Sequence, residues 1–115
     1  MEQADTNQSL EVCIVLCTCP DGGTARQLSR GLVETRMAAC VNIVPNITSV
    51  FRWQGEIQDE TEFLLIAKTT RSRFGALETW LQANHPYDMP EILMVPTVAG
   101  LEAYMTWVRE ETRQT

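Results

Sequence analysis

The stretch from Val41 to Lys68 constrains the fold most strongly, because it has the pattern of one long β-hairpin. Between residues 41 and 53, apolar side chains occupy one parity (Val41, Ile43, Ile47, Phe51, Trp53) and mostly polar ones the other (Asn42, Asn46, Thr48, Arg52). Such alternation predicts a half-buried strand with its apolar side chains on one face. Gln54 and Gly55 predict the turn, since glycine accepts a positive φ. The returning segment Phe63–Ala67 is apolar on both faces, which predicts a central strand.

The length of this hairpin bears on assembly. Thirteen residues from Val41 to Trp53 would span roughly 43 Å at ~3.3 Å per residue, whereas a compact chain of this size is roughly 35 Å across. The strand must therefore bend, most simply at Pro45, or project beyond its own domain. A projecting arm that carries Phe51 and Trp53 needs cover, and a second copy of the chain would supply it. The alternative is a monomer whose arm folds back.

Composition and charge restrict the class of protein. A chain of 115 residues with 44% hydrophobic residues fits one domain with a packed core, which we expect over residues 11–115. We expect Met1–Leu10, which are polar and acidic, to form a frayed tail. The net charge of −6 disfavours nucleic acid and anionic membranes as partners. No apolar run approaches ~20 residues, and no secretory signal is recognisable, so we expect a cytoplasmic protein with four free thiols.

The other elements complete an alternating pattern. Apolar periodicity and capping residues predict a strand over Glu11–Cys19, a helix over Gly23–Thr35 capped by Asp21 or Thr24, a helix from Thr69, Thr70 or Ser72 to Ala83, a strand over Glu91–Val95 and a helix over Leu101–Arg113. The order β-α-β-β-α-β-α predicts an α+β fold, the ferredoxin-like βαββαβ sandwich with an extended central hairpin and an added C-terminal helix.

Cys17 and Cys19 are the most suggestive candidates for chemistry. Residues two apart on a strand point to one face, and Cys13 shares that parity. Their Cα atoms would lie roughly 6.6 Å apart, near the outer limit for a disulfide, so we do not expect a bond between them. Two thiolates on one face could bind a soft ion such as Cu(I) or Zn(II). The alternative is that these cysteines, like Cys40, are simply core residues.

The single histidine, His85, is the second candidate ligand. It could join Cys17 in a metal site if the fold or a neighbouring subunit brings the strand end close. Alternatively, its ring bonds the terminal carbonyls of the preceding helix. We expect the segment Pro20–Thr24 to be a plain strand-to-helix turn, with an anion cradle on its backbone N–H groups as the alternative.

Enzyme activity is not predicted. No set of acid, base and nucleophile is recognisable in the sequence. The acidic residues from Glu56 to Glu62 are expected to form a solvated strand face, with loose recruitment of divalent cations as the alternative.

Four motifs follow one another along the chain. They are Leu16-Cys17-Thr18-Cys19-Pro20-Asp21, Met37-Ala38-Ala39-Cys40-Val41-Asn42-Ile43-Val44-Pro45, Phe51-Arg52-Trp53-Gln54-Gly55-Glu56-Ile57 and His85-Pro86-Tyr87-Asp88-Met89-Pro90-Glu91-Ile92. In this order they resemble the motifs of the CutA family, the divalent-cation tolerance proteins. The similarity covers nearly the whole chain, from about Val12 to Arg113.

This resemblance implies a cytoplasmic homotrimer, assembled by strand pairing between subunits and linked to tolerance of copper and other divalent metals. It also implies a copper site on the cysteine of the Leu-Cys-Thr motif, here Cys17, and on two consecutive histidines before the Pro-Tyr pair. Those two positions are Asn84 and His85 in this chain. Asparagine is a poor ligand for soft copper, which leaves Cys17 and His85, with Cys19 as a possible compensating thiolate.

Two functions are therefore expected from the sequence. The first is a non-enzymatic, metal-responsive trimer that uses Cys17 and His85 as soft ligands. The alternative is a trimeric signalling or assembly module that takes a small ligand in the clefts between its subunits.

Overall fold

The computed structural model describes residues 10–114, and within them the chain follows the predicted order of elements. The expected tail Met1–Leu10 lies, apart from Leu10, outside the described residues. A short 3₁₀ turn precedes the second helix. The elements are β1 (Val12–Cys19), α1 (Gly22–Glu34), β2 (Cys40–Trp53), β3 (Glu56–Thr70), the 3₁₀ turn (Arg71–Arg73), α2 (Phe74–Asn84), β4 (Leu93–Pro96) and α3 (Glu102–Glu111).

The ends of two elements settle points that the sequence left open. Asp21 is the N-cap of α1, since the Thr24 N–H donates to its Oδ1 at 2.8 Å. The carboxylate of Asp21 thus occupies the helix N-terminus, and Pro20–Thr24 is a strand-to-helix turn. The fourth strand begins at Leu93, later than the predicted Glu91, and includes Pro96, which was expected to end it. Proline is tolerated there because β4 is an edge strand.

The four strands form one antiparallel sheet in the order β2-β3-β1-β4. Facing pairs such as Val15 with Ala67 and Cys17 with Leu65 point to the side that carries α1 and α2. Leu28 of α1 and Leu77 of α2 are buried against this side. The predicted α+β, ferredoxin-like sandwich is therefore confirmed, with the main core between the sheet and these two helices.

The third helix lies on the other side of the sheet and covers one end of it. Val108 of α3 packs there with Val12 and Ala39, and Met105 lies beside them. Beyond α3 this side carries apolar residues that are only partly buried or exposed. We call them the open face: Ile14, Leu16, Val44, Leu64, Ile66, Leu93 and Val95.

The hairpin β2–β3 projects from the domain. The described residues measure 47 × 28 × 27 Å with a radius of gyration of 15.1 Å, above the roughly 13 Å expected for a compact chain. Gln54 and Gly55 form the predicted turn with φ values of 51° and 82°. Near the tip, Phe51 is 38% and Trp53 47% exposed. The length argument for a projecting arm is confirmed.

A β-bulge next to Pro45 corrects the predicted arrangement of faces. The pairing steps from Val44–Leu64 to Ile47–Glu62, so β2 carries one extra residue, and Asn46 adopts a φ of 58°. An extra residue moves every later side chain to the opposite face of the sheet. Val41 and Ile43 therefore pack toward α1 and α2, whereas Ile47, Phe51 and Trp53 share the side of the open face. The prediction of a single apolar face along β2 was wrong.

Within residues 10–114, none of the helices has the length and apolar character needed to cross a membrane.

Candidate functional site

Cys17 lies near the end of β1, on the side of the sheet covered by α1 and α2. It is 1% exposed, and its thiol approaches the carbonyl oxygen of Thr18 at 3.7 Å. Burial raises the pKa of Cys17 to about 12, and the negative charges of Cys19, Glu91 and Glu62 act in the same direction. Cys17 is therefore a protonated, shielded thiol at neutral pH.

His85 terminates α2 and turns its ring toward the end of β1. Its backbone N–H donates to Leu81 O at 2.8 Å, and the residue is 8% exposed. The ring Nδ1 accepts the N–H of Tyr87 at 3.0 Å, and Nε2 lies 2.8 Å from Thr18 O. Because Nδ1 is an acceptor, Nε2 carries the proton and donates it to the Thr18 carbonyl. The ring thus binds strand β1 rather than the last carbonyls of its own helix.

The fold places the side chains of the two predicted ligands, Cys17 and His85, beside the same backbone oxygen, that of Thr18. The thiol of Cys17 and the Nε2–H of His85 both contact the carbonyl oxygen of Thr18. They are 68 positions apart in sequence, and the antiparallel sheet together with the end of α2 makes them neighbours. The condition set by the sequence, that the fold must bring the strand end close to His85, is met within a single chain.

The chemistry of this pair fits a soft metal ion, although no further ligand of the chain accompanies it. Thiolate and imidazole are donors that suit copper. Among residues 10–114, no group of three or more His, Cys, Asp or Glu side chains is placed to hold a metal ion. An ion at this place would require the Cys17 thiol to lose its proton and the His85 ring to leave Thr18 O.

The two other candidates are occupied elsewhere. The side chain of Asn84 donates to Trp80 O at 2.8 Å and caps its own helix. Cys19 is fully buried, and burial raises its pKa to about 11. Asn84 therefore does not replace the histidine that the resemblance implies at its position.

A hydrogen-bonded pair beside His85, the exposed Tyr87 and the buried Glu62, was not anticipated from the sequence. The Tyr87 hydroxyl donates to Glu62 Oε2 at 2.8 Å, and the rings of Tyr87 and His85 lie 4.9 Å apart. Glu62 is only 7% exposed, so the prediction of a fully solvated acidic strand was wrong at this residue. Burial, followed by the hydrogen bond to Glu62, raises the pKa of Tyr87. The available signal was parity, since Glu62 has the same parity as Leu64 and Ile66 and so points to the same side of the sheet.

Cys40 differs from the other three cysteines. It was expected in the core, but it is only partly buried and pairs with Lys68 on the side of the open face. The Lys68 Nζ lies 3.9 Å from its sulfur. The prediction was wrong because Cys40 precedes Val41, and Val41 is the residue that points to the core.

The sequence is similar to one family over most of its length. The profile of the family described as "CutA1 divalent ion tolerance protein" matches residues 13–111. The "Divalent-cation tolerance protein CutA" of Thermus thermophilus is 48% identical over 99 residues, covering 86% of this chain and 96% of the relative. The protein of the same description from Pectobacterium atrosepticum is 38% identical over 103 residues, covering 90% and 94%.

Solved structures agree with the sequence comparison. The divalent cation tolerance protein Cut A1 from Thermus thermophilus superposes with a TM-score of 0.87 at 46% identity, covering 89% of this chain and 99% of that one. CutA1 from Oryza sativa superposes with a TM-score of 0.89 at 37% identity, covering 94% and 99%.

Proposed function

Because the chain belongs to the CutA1 divalent ion tolerance family, we propose that it is a non-enzymatic protein of metal tolerance that binds copper through Cys17 and His85. The observation that supports this proposal is the convergence of the Cys17 thiol and the His85 Nε2–H on the Thr18 carbonyl oxygen. Relatives of this chain are described as divalent-cation tolerance proteins.

Each residue has a definite part in the proposed site. Cys17 supplies the soft donor, and its thiolate selects Cu(I) over harder cations. His85 supplies a neutral nitrogen, and the Tyr87 N–H bonded to its Nδ1 orients the ring so that Nε2 faces β1. Binding exchanges the proton of Cys17 for the metal, so affinity must rise with pH.

A competition titration with a coloured Cu(I) chelator under reducing conditions tests this site. We expect Cys17→Ser and His85→Ala to weaken Cu(I) binding at least tenfold, since even the loss of an outer-shell partner costs about 10–100-fold. Cys40→Ser is the matched control, because Cys40 lies on the opposite side of the sheet, and it should bind as the wild type does. Equal affinity in all four proteins would reject Cys17 and His85 as ligands.

We also propose that the protein is a homotrimer. The apolar open face and the exposed Phe51 and Trp53 need cover. The strands β2 and β4 lie at opposite edges of the sheet, so β2 of one copy can meet β4 of the next in a heterologous contact that closes into a ring. The resemblance to CutA proteins supports three copies.

Sedimentation equilibrium of wild type and Phe51→Asp tests this assembly. We expect the wild type to sediment at three times the 13.0 kDa of the chain and the variant to dissociate, because a carboxylate would be buried in an apolar contact. Val33→Asp is the control, since Val33 is similarly exposed at 43% but lies on α1, away from the open face. A wild type of 13.0 kDa at micromolar concentration would exclude the homotrimer.

The proposed location is the cytoplasm. Its support is that the four cysteines are free thiols, the state favoured by a reducing compartment. Relatives differ in this respect, since the protein of Arabidopsis thaliana is described as chloroplastic and that of Archaeoglobus fulgidus as periplasmic. Cell fractionation with antibody detection tests the proposal, and recovery in an exported fraction would refute it.

A further inference from the structure

Lys68 is the only lysine of the chain, and it lies beside the open face without an ion-pair partner among residues 10–114. The ion pairs in this part of the chain all use arginine, namely Arg36, Arg71 and Arg109. The ammonium instead donates to the side-chain oxygen of Asn42 and to Cys40 Sγ at 3.9 Å. Neither acceptor is a carboxylate, so the positive charge has no counter-charge from these residues.

The strand neighbours of Lys68 are neutral. Lys68 faces Cys40 across the strand pair and Ile14 on its other side, while Asn42 pairs with Ile66. An ammonium among such neighbours gains no charge partner from the described residues. It also keeps donor capacity, since it has three N–H groups and two neutral acceptors. An anion placed here would supply both the charge and the missing acceptor.

Two aromatic side chains of α3 lie near Cys40, the residue that the Lys68 ammonium contacts. Tyr104 of α3 adjoins Cys40, and partial burial together with that thiol raises the pKa of Tyr104. Trp107 lies beside it with ring centroids 5.6 Å apart. Both rings are exposed, at 40% and 41%. Exposed aromatic side chains of this kind can pack against the flat or apolar part of a ligand.

We propose that Lys68, Cys40, Asn42 and Tyr104 form a binding site for a small organic anion. The carboxylate or phosphate of the ligand pairs with the Lys68 ammonium, and its flat or apolar part packs on Tyr104 and Trp107. The site does not depend on the proposed metal site, because Lys68 and Cys17 point to opposite sides of the sheet. In the proposed homotrimer a neighbouring copy would cover the open face, and the site formed by Lys68, Cys40, Asn42 and Tyr104 would then lie in a cleft between two copies.

The single lysine makes a direct test possible. Reductive methylation with ¹³C-formaldehyde keeps the charge of Lys68 and gives one lysine NMR signal beside that of the N-terminal amine. Four probes separate the contribution of the anionic group from that of the aromatic ring. Phenyl phosphate and benzoate carry an anionic group and a ring, inorganic phosphate carries only the anion, and benzyl alcohol carries only the ring. We expect phenyl phosphate or benzoate to shift the Lys68 signal saturably. The affinity derived from this shift should be at least tenfold higher than for inorganic phosphate or benzyl alcohol.

Variants identify the contributing side chains by calorimetric titration of the unlabelled protein. Lys68→Met should weaken binding of the better organic anion at least tenfold, while Arg26→Met, which removes an exposed charge on α1, should leave it unchanged. Trp107→Ala should weaken binding of the organic anion without changing that of inorganic phosphate. Unchanged binding in Lys68→Met, or equal affinity for inorganic phosphate and both organic anions, would overturn the proposal.

A measurement on the wild type keeps the proposal testable if Lys68→Met does not fold. Acetylation of Lys68 by an amine-reactive ester, followed by peptide mass spectrometry, should slow severalfold in the presence of the organic anion. Acetylation of the N-terminal amine is the internal control and should not slow. Equal rates at Lys68 with and without the organic anion would contradict the site.

Discussion

The protein should lose stability as the pH rises above about 9, because three thiols are buried on one side of β1. Cys13, Cys17 and Cys19 are 1%, 1% and 0% exposed. Burial raises their pKa values from the ordinary 9.0 to about 11, 12 and 11. In the unfolded chain the same thiols ionise near their ordinary pKa.

The sign and size of the effect follow from proton linkage. Because the folded pKa of Cys17 lies above the unfolded one, the folded state binds more protons between these values, and stability falls as pH rises through them. The difference between 9.0 and about 12 corresponds to about 4 kcal/mol in all, of which about 1.4 kcal/mol is lost by about pH 10. Cys13 and Cys19 add to the loss in the same direction.

Urea unfolding followed by tryptophan fluorescence measures this loss. Wild type and Cys17→Ala are compared from about pH 8 to about pH 10, in reductant and at one protein concentration, since assembly makes stability depend on concentration. The missing sulfur alters the free energy of unfolding of the variant at every pH, so the informative quantity is the change with pH. Wild type should lose about 1.4 kcal/mol more than Cys17→Ala over this range.

Cys40→Ala is the matched control, because Cys40 is only partly buried. Its free energy of unfolding should fall with rising pH by nearly as much as that of the wild type. Alkaline ionisation of the tyrosines affects all three proteins alike and cancels in the comparison. Equal losses in wild type and Cys17→Ala would show that Cys17 is not shielded in solution, and the reasoning from burial would fail.

Three further predictions concern the framework of the fold. Gly31→Ala should lower the free energy of unfolding by about 1–3 kcal/mol through overpacking, since the added Cβ would lie 2.4 Å from the ring of Trp80. Gly75→Ala is its control, because a Cβ there would have no atom within 4 Å, and it should leave thermal stability unchanged or raise it. Asp21→Ala should lower the unfolding midpoint at neutral pH through loss of the helix cap. Because the cap lowers the pKa of Asp21 below its ordinary 3.8, this difference from wild type should shrink as the carboxylate is protonated at lower pH, and a constant difference would exclude a contribution from its charge. Gln54→Asn should raise the unfolding midpoint, since asparagine tolerates the φ of 51° better than glutamine, and a lower midpoint would contradict the turn.

Local patterns were sufficient to predict the elements. The strand over residues 41–53, the turn at Gln54-Gly55 and the cap at Asp21 each depend on residues close in sequence, and the structure confirms all three. The length of the hairpin also predicted that it would project, because a strand has a fixed rise per residue.

Long-range packing decided which residues share a site. The bulge beside Pro45 reverses the faces of the distal hairpin, and no local pattern shows on which side of the sheet Phe51 ends. Glu62 is buried where the hydroxyl of Tyr87, 25 positions later, donates to it. In the same way Lys68 meets Cys40 through strand register, which the sequence of either strand alone does not fix.

The sequence by itself thus determined the order of elements, the ferredoxin-like class, the family and the two candidate ligands. It could do so because periodicity, helix caps and short motifs depend only on residues close together in the chain. Only the tertiary structure decided that Cys17 and His85 meet at the Thr18 carbonyl and that Lys68 is without a carboxylate partner among residues 10–114. These facts depend on the register of distant strands and on what packs over each face of the sheet, and both follow from the burial of the whole chain.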